Sequence, residues 1–505
     1  MQLLTDRYHD RIAGTLSCYD RVVITGTLPR LCFAEGMTGY LYEKGIRIFD
    51  YAGFAQPFRE RLRQNAEELA KTNGIEIQFI SKSSFRKETI VQNILSQRGD
   101  ASGLVCILSA MELCETYRPW HNKKTGQTYL KANSSKCLHY YFYFIDEVFG
   151  LCYVRVPTWC PFRLQIYFNG HNYLAHQLKN ARISFRLIDN AFLDIDDFSK
   201  AQQLADNFDV EILHQFLDRC ADSYCPIYRE FEQTYHWSIM QAEYATDIVF
   251  KKQKDLQAIY EQLIATAIHT VKPENIATFL GRRLHGKYQE EMGNQYNVRI
   301  QGSRIKHIMG KQAIKMYDKF SQILRIETTT NQVTFFKHYR TVEHRNGSQS
   351  KKVAAMKKNI YSLNPLKGCL NAANRRYLEF ISAIEDRKAG KQRLLKITRP
   401  VKENQRSYKG FNFFDEDDQR LLCSILKGAF NISGFQNKHL KQLLNGKSSS
   451  QISRILKRLK THGLIRKIRN TYKYYLTRLG KKVLLTALKI KELVIIPELD
   501  YKTLA

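Results

Sequence analysis

The 505-residue sequence has no C-x-x-C pair and no apolar run near the roughly 18 residues of a membrane-spanning helix, and acids are scarce against its bases. Eleven cysteines run from Cys18 to Cys423, and the nearest pairs (Cys220 with Cys225, Cys106 with Cys114, Cys152 with Cys160) lack zinc-ligand spacing. That excludes an even disulfide framework and leaves reduced thiols, as in a cytoplasmic protein. The opening MQLLTDRYHDRIAGTL carries charge where a secretory signal needs an apolar core, and no long amphipathic segment offers a Trp or Phe face to lipid. Secretion and membrane attachment are therefore not expected. Only 10 Pro and 26 Gly, with 44% apolar residues, exclude a low-complexity or disordered chain. What is present is positive charge. Lys and Arg number 79 against 48 Asp and Glu, a net +31, which a polyanionic partner would neutralise. Nucleic acid is the expected partner, duplex DNA first and RNA second; the oligomeric state is not legible.

The length suits about three folded units at roughly 100 to 200 residues each. The expected fold class is α+β multidomain. Residues 1–215 alternate β-rich runs (21–25, 75–80, 104–108, 163–168 and the pair 138–145 with 151–156) with helical stretches, and read as an α/β domain. Residues 216–345 read as helical, then a small antiparallel sheet of short β-rich runs between 298 and 336. Residues 346–412 are basic and poor in large apolar side chains, and read as a linker with a helix at about 370–386. Residues 413–492 give helix, helix, helix and a two-stranded wing, the order of a winged helix-turn-helix. The third helix, SSSQISRILKRLKTHG, has a serine cap, an apolar stripe of Ile452, Ile455, Leu456 and Leu459, and a stop at Gly463.

The segment SRILKRLKTHGLIRKIRNTYKYYLTRLGKKVL resembles the winged helix of MarR-type bacterial regulators. That resemblance puts the third helix in the major groove, with contacts from Ser450, Gln451, Ser453, Arg454, Lys457 and Arg458, and backbone or minor-groove contacts from Arg466, Lys467, Arg469 and Lys473 in the wing. Residues 446–482 contain no acid, which suits phosphates. MarR proteins are short dimers with their own dimerising helices, so ligand-responsive repression is not carried over to this longer chain. CYDRVVITGTL, VPTWCPFRLQIYFNGHNYLA, KMYDK with LRIETT, and the winged helix together resemble a widespread bacterial family of about this size that is labelled by that last domain and carries no assigned activity.

In RIKHIMGKQAIKMYDKFSQILRIETTTN, strand alternation puts Arg304 with Lys306, Lys315 with Tyr317 and Lys319, and Arg325 with Glu327 on one face. This is a basic face with one carboxylate, expected to contact nucleic acid through Arg304, Lys306, Lys315, Lys319 and Arg325. A strand ending Y-D-K before one reading L-R-I-E resembles replication initiators of rolling-circle plasmids and filamentous phages. The resemblance implies that Tyr317 attacks a phosphodiester while Glu327 helps bind a divalent ion; the paired histidines of the H-u-H type are missing. Upstream, an aromatic-rich stretch carries Lys136, His139, Arg155, Arg163 and His171, with Lys136, Arg155 and Arg163 as further nucleic-acid contacts. Asp20, at the first strand, with Asp194, Asp196 and Asp197 in LDIDDF could hold Mg²⁺; if the chain is an enzyme, Asp194, Asp196 and Glu327 are the leading ligands for Mg²⁺ or Mn²⁺; His139 and His171 with Asp194 are another possible metal set, and Asp197 serves equally as a helix cap. The leading expectation is thus a DNA-binding protein. A metal-dependent nuclease, recombinase or replication initiator of a mobile element, and an RNA-binding ribonucleoprotein component, are the alternatives.

Overall fold

A computed structural model describes residues 3–81, 86–99, 101–284, 288–299, 302–385, 394–491 and 496. The fold is α+β, and the chain divides into two compact units, Met1–Glu385 and Asp386–Ala505. The first is larger than expected. The boundary anticipated at 215 separates nothing, because strands from both sides of it share one sheet, and residues 346–385 of the anticipated linker also belong to this unit.

The strands up to residue 330 are, in chain order, β1 (Ile12–Thr27), β2 (Ile77–Phe79), β3 (Gly103–His121), β4 (Thr128–Asp146), β5 (Gly150–Pro157), β6 (Leu164–Asn169), β7 (Phe185–Ile188), β8 (Ala191–Ile195), β9 (His236–Phe250), β10 (Met292–Arg299), β11 (Gly302–Met309), β12 (Gln312–Lys319) and β13 (Ile323–Thr330), and a separate hairpin of Lys337–Glu343 with Gln349–Ala355 follows, reaching into the anticipated linker. Eleven of them form a sheet ordered β10-β11-β12-β13-β9-β1-β6-β5-β4-β3-β2, parallel only between β2 and β3. The pair 138–145 with 151–156 lies in the β4–β5 hairpin. The expected small meander exists as β10–β13 but continues into β9 and β1; of its anticipated runs, 332–336 holds the 3₁₀ turn Val333–Phe335, and Ile300 lies outside the described residues.

One face of the sheet is buried under long amphipathic helices, including Tyr51–Asn73, Val210–Tyr224, Gln253–Thr270 and Leu363–Glu385, in a core that runs from Val22 and Phe168 to Ile326 and Tyr377. The opposite face is covered in patches. Helices Gly170–Asn180 and Phe198–Asp206 with the hairpin β7–β8 sit over Leu16 and Cys18, and helix Lys87–Arg98 sits over Cys106, Leu108 and Tyr141. Between these covers lies a polar patch in which Lys315 and Tyr317 are half-buried and Asp20, Glu243, Asp247, Arg325 and Glu327 are buried. Among the described residues no helix is long and apolar enough to cross a membrane.

The second unit contains helices Glu416–Ile425, Gly428–Ser433, Asn437–Leu443 and Ser449–Thr461, a hairpin of Ile465–Lys467 with Tyr474–Leu476, and helix Arg478–Ile490. Ser448 caps Ser449–Thr461, and Gln451 reaches back to the Ser448 amide at 2.7 Å; Ile452, Leu456 and Leu459 face the core with Leu421, Leu422 and Ile425. Part of the anticipated linker, residues 386–393, and the end of the anticipated domain at Glu492 lie outside the described residues.

Candidate active site

Two local features aim acids at one place on the open sheet face. Between Tyr19↔Tyr244 and Val22↔Ala242 the β1–β9 register slips, so that Asp20 and Arg21 together oppose Glu243. Such a bulge turns consecutive residues toward one face, and here both make contacts there: Asp20 with Asn169, Asn190 and Arg325, and Arg21 over the Tyr167 ring at 5.2 Å. The second feature is the unbroken register of β9, β13 and β12. It aligns Asp247 with Arg325, Thr329 with Glu243, Arg325 with Tyr317, and Glu327 with Lys315. The alternation expected for Lys315, Tyr317, Arg325 and Glu327 is therefore what the sheet presents.

Arg325 is not a surface contact for nucleic acid, as expected, but the buried hub of this cluster. It donates to both oxygens of Asp247 at 2.6 Å, to Asp20 Oδ2 at 3.2 Å and to the Asn190 carbonyl at 2.6 Å. Its Nη2 lies 3.1 Å from Nε2 of His171, and because a guanidinium only donates, that imidazole accepts there and keeps its proton on Nδ1, beside Asn169 and Asp20. His171 follows Gly170, whose backbone passes so close to β1 that a Cβ would lie 2.3 Å from the Tyr19 carbonyl oxygen; glycine is what lets this helix start against the strand. Burial raises the Asp20 carboxyl, but His171, Arg325 and Asn190 outweigh it and hold the group far below the usual range. Asp247, likewise desolvated, is held at about 2 chiefly by Arg325.

Above this buried layer stand Glu243, Glu327, Lys315 and Tyr317. Lys315 Nζ lies 2.5 Å from Glu327 Oε1 and 3.1 Å from Glu243 Oε1, and Tyr317 Oη donates to Glu327 Oε2 at 2.6 Å. Burial, with repulsion from Glu327, raises Glu243 to about 7 despite Lys315. Burial and Glu327 also raise the Tyr317 hydroxyl well above its ordinary value. At the rim Lys319 contacts Asp189 at 3.1 Å and the Asn190 side chain, and Asn190 donates to Asp20 at 2.6 Å, so the β7–β8 turn closes over the acids. That turn also walls a cleft of about 540 Å³, with Tyr167 and Asn169 in its lining.

Oxygens of Asp20, Glu243 and Glu327 lie within 4.8 Å of one another. Hard oxygen donors at that separation suit a cation with ligands at about 2.0 to 2.6 Å, which describes Mg²⁺, Mn²⁺ or Ca²⁺. Asp194 and Asp196, the expected partners of Glu327, are exposed and take no part in this group. The β7–β8 register slips between Arg186↔Asp194 and Leu187↔Phe192, so simple alternation does not hold in β8: Phe192 is buried and Asp194 exposed, and Asp197 caps helix Phe198–Asp206. His139, His171 and Asp194 are likewise not brought together as a metal set among the described residues. The sequence reading missed Glu243 and Asp247, although their four-residue spacing on one strand face was a usable signal.

The remaining expected contacts divide by geometry. Arg304 and Lys306 share the open face with Lys315 through the β11–β12 register. Lys136 is exposed, whereas Arg155 is bound to Glu112 (2.9 Å) and Tyr141 (2.9 Å), and Arg163 is bound to Glu115. In the second unit Ser453, Arg454, Arg466, Lys467, Arg469 and Lys473 are exposed. Ser450 and Gln451 are also exposed but bond to the cap residue Ser448. Lys457 is 3.3 Å from Glu403. Arg458 is a correction: it is clamped to both oxygens of Asp418 at 2.8 and 3.0 Å, donates to the Lys409 and Gly410 carbonyls, and stacks 3.9 Å over Phe411. Arg458→Ala should lower the unfolding stability of this unit by about 3 kcal/mol, because Asp418 is left nearly buried without its counter-charge. Thermal melting followed by far-UV circular dichroism checks this, and a melting profile like the wild type's would contradict it.

No family model and no curated protein matches the chain. Among solved structures it is similar to a rolling-circle replication initiator protein from Geobacillus stearothermophilus, with 7% identity over 63% of this chain and 74% of that one, at a TM-score of 0.18. A likeness at that level carries no argument about function; the residues of the site do.

Proposed function

We propose that the chain is a metal-dependent enzyme that cuts and transfers a phosphodiester of DNA, of the kind that opens a strand to start replication or to mobilise an element. One observation carries this reading: four carboxylates, Asp20, Asp247, Glu243 and Glu327, are clustered and largely buried, and among the described residues they meet Lys315 and Arg325 as directly bonded cations, with His171 3.4 Å from Asp20 and 3.8 Å from Asp247. A buried acid without a counter-charge is costly. A divalent ion held by Asp20, Glu243 and Glu327 would offset the charge these acids carry once Glu243 is ionised, and would polarise a phosphoryl oxygen.

The protein's own groups do the rest. Tyr317 is the nucleophile: its oxygen forms the bond to phosphorus, its proton passes to Glu327 Oε2, and the displaced sugar oxygen leaves and takes a proton from solvent. Lys315 stabilises charge gathering on the phosphate, and Arg21, stacked on Tyr167, stands beside Asp20 to meet the neighbouring phosphate. The second unit is read as a winged helix that grips duplex DNA through Arg454 and the wing residues Arg466, Lys467, Arg469 and Lys473.

The test is to incubate supercoiled plasmid with the protein and Mg²⁺ or Mn²⁺ and to look on a denaturing gel for a nick and a covalent protein–DNA adduct. Neither product with any supplied DNA would end the reading. The Glu243 shift adds a pH dependence. Metal must displace the proton that Glu243 keeps up to about pH 7, so affinity for Mn²⁺ should rise about fivefold from pH 6 to 7 and about twofold more by pH 8. Calorimetric titration at pH 6, 7 and 8 measures this; a flat profile would remove Glu243 from the ligand set. Arg454→Ala with Arg466→Ala in the full chain should weaken duplex binding by about 2 to 4 kcal/mol and reduce its salt dependence, read by fluorescence anisotropy.

A further inference from the structure

On the same sheet face a second pocket, of about 350 Å³, is lined by Thr25, His139, Arg155, Trp159, Arg163 and Gln165 among others. Two of its lining residues each carry a buried polar atom without a hydrogen-bond partner. His139 is fully buried, and its Nδ1 lies 3.0 Å from the Cys137 carbonyl and so carries the proton; its Nε2, a lone-pair acceptor, has no partner. Burial, with Arg155 adding, pushes this imidazole down to about 4 and keeps it neutral. Arg163 spends its two terminal nitrogens on Glu115 and the Cys32 carbonyl, which leaves its buried Nε–H unpartnered.

An unmet acceptor and an unmet donor on two residues that line one pocket suit a ligand that carries both a donor and an acceptor. The edges of nucleobases do so, and a half-buried indole, Trp159, offers a stacking surface. In a duplex those edges are paired, so the base must come from an unpaired strand. Thr25, which pairs with Gln165, lies five residues along β1 from Asp20, about 16 Å at roughly 3.3 Å per residue. That span is a few nucleotides. We propose that this pocket takes one unpaired nucleobase of the strand whose phosphodiester lies at Asp20, Glu243 and Glu327. The proposal deepens the enzymatic reading and rests on its placing DNA over this face.

The probes are the four deoxynucleoside monophosphates, with 2-deoxyribose 5-phosphate as the base-free control, titrated against the full chain without metal and read by tryptophan fluorescence and competition. At least one monophosphate should bind five-fold or more tighter than the control, and His139→Phe and Trp159→Leu, made separately, should each reduce that ratio toward one. Equal binding of nucleotide and control by the wild type would overturn the pocket, with no variant needed. A base-dependent ratio that both variants leave unchanged would overturn it too. The outcome is separable from the active-site reading: plasmid nicking without base-dependent binding sinks only the pocket, and base-dependent binding without nicking sinks only the catalytic assignment.

Discussion

Glu327→Gln should lower the rate of plasmid nicking by about 10³-fold or more, and Tyr317→Phe should reduce the covalent adduct to background. Glu327 is asked to accept the Tyr317 proton and to ligate the metal. General-base catalysis is worth about 10² to 10⁴, and loss of one preorganised charge contact about 10² to 10³. The amide is isosteric: its one oxygen still accepts from Lys315 while its NH2 donates to the Tyr317 oxygen, so the fold should survive, and removing a charge that repels Glu243 favours that group's ionisation. Phe at 317 removes only the hydroxyl. Rates on supercoiled DNA with Mn²⁺, alongside melting curves to confirm folding, decide the matter. Undiminished nicking by both variants would clear these residues, and nicking without an adduct in the wild type would point to water as the nucleophile and leave the carboxylates standing.

Arg325→Met should have the largest effect on stability, about 3 to 5 kcal/mol, because it leaves Asp20 and Asp247 buried without the guanidinium that both bond. The sign of its pH dependence comes from the depressed carboxyls. Their stabilising contribution is fully present above the unfolded value of about 3.9 and is lost as pH falls through the folded values, about 2 for Asp247 and lower for Asp20. The gap between wild type and variant should therefore be widest at neutral pH and narrow below about pH 4. Trp120, Trp159 and Trp237 all lie in the first unit, so urea unfolding followed by tryptophan fluorescence reports on it alone. A constant gap from pH 7 to pH 3.5 would contradict the charge-pair account. Arg325→Lys should recover little, since one ammonium cannot meet Asp247 on both oxygens and still reach Asp20.

What was legible in the sequence was local. The Ser448 cap, the stripe of Ile452, Leu456 and Leu459, and the stop at Gly463 mark one helix, because capping and 3.6-residue periodicity act within a few turns. Strand alternation likewise put Lys315, Tyr317, Arg325 and Glu327 on a common face, since side chains alternate whatever the sheet is built from. Strand β9 was not read as a strand, although the spacing of Glu243 and Asp247 fits one face of it. Its Glu243 and Asp247 break the apolar pattern of a central strand, and they are tolerated only because Lys315 and Arg325 arrive from β12 and β13. For the same reason no boundary could be drawn correctly at 215, because the residues that satisfy one another lie far apart in the chain: Asp20, His171, Asp247 and Arg325 meet through sheet pairing and one close helix packing. Whether an arginine is a surface contact or a buried hub, as for Arg325 and Arg458, depends on which carboxylate the fold brings to it. Local sequence carries no term for that, because a charge enters the interior only with a partner that tertiary structure supplies.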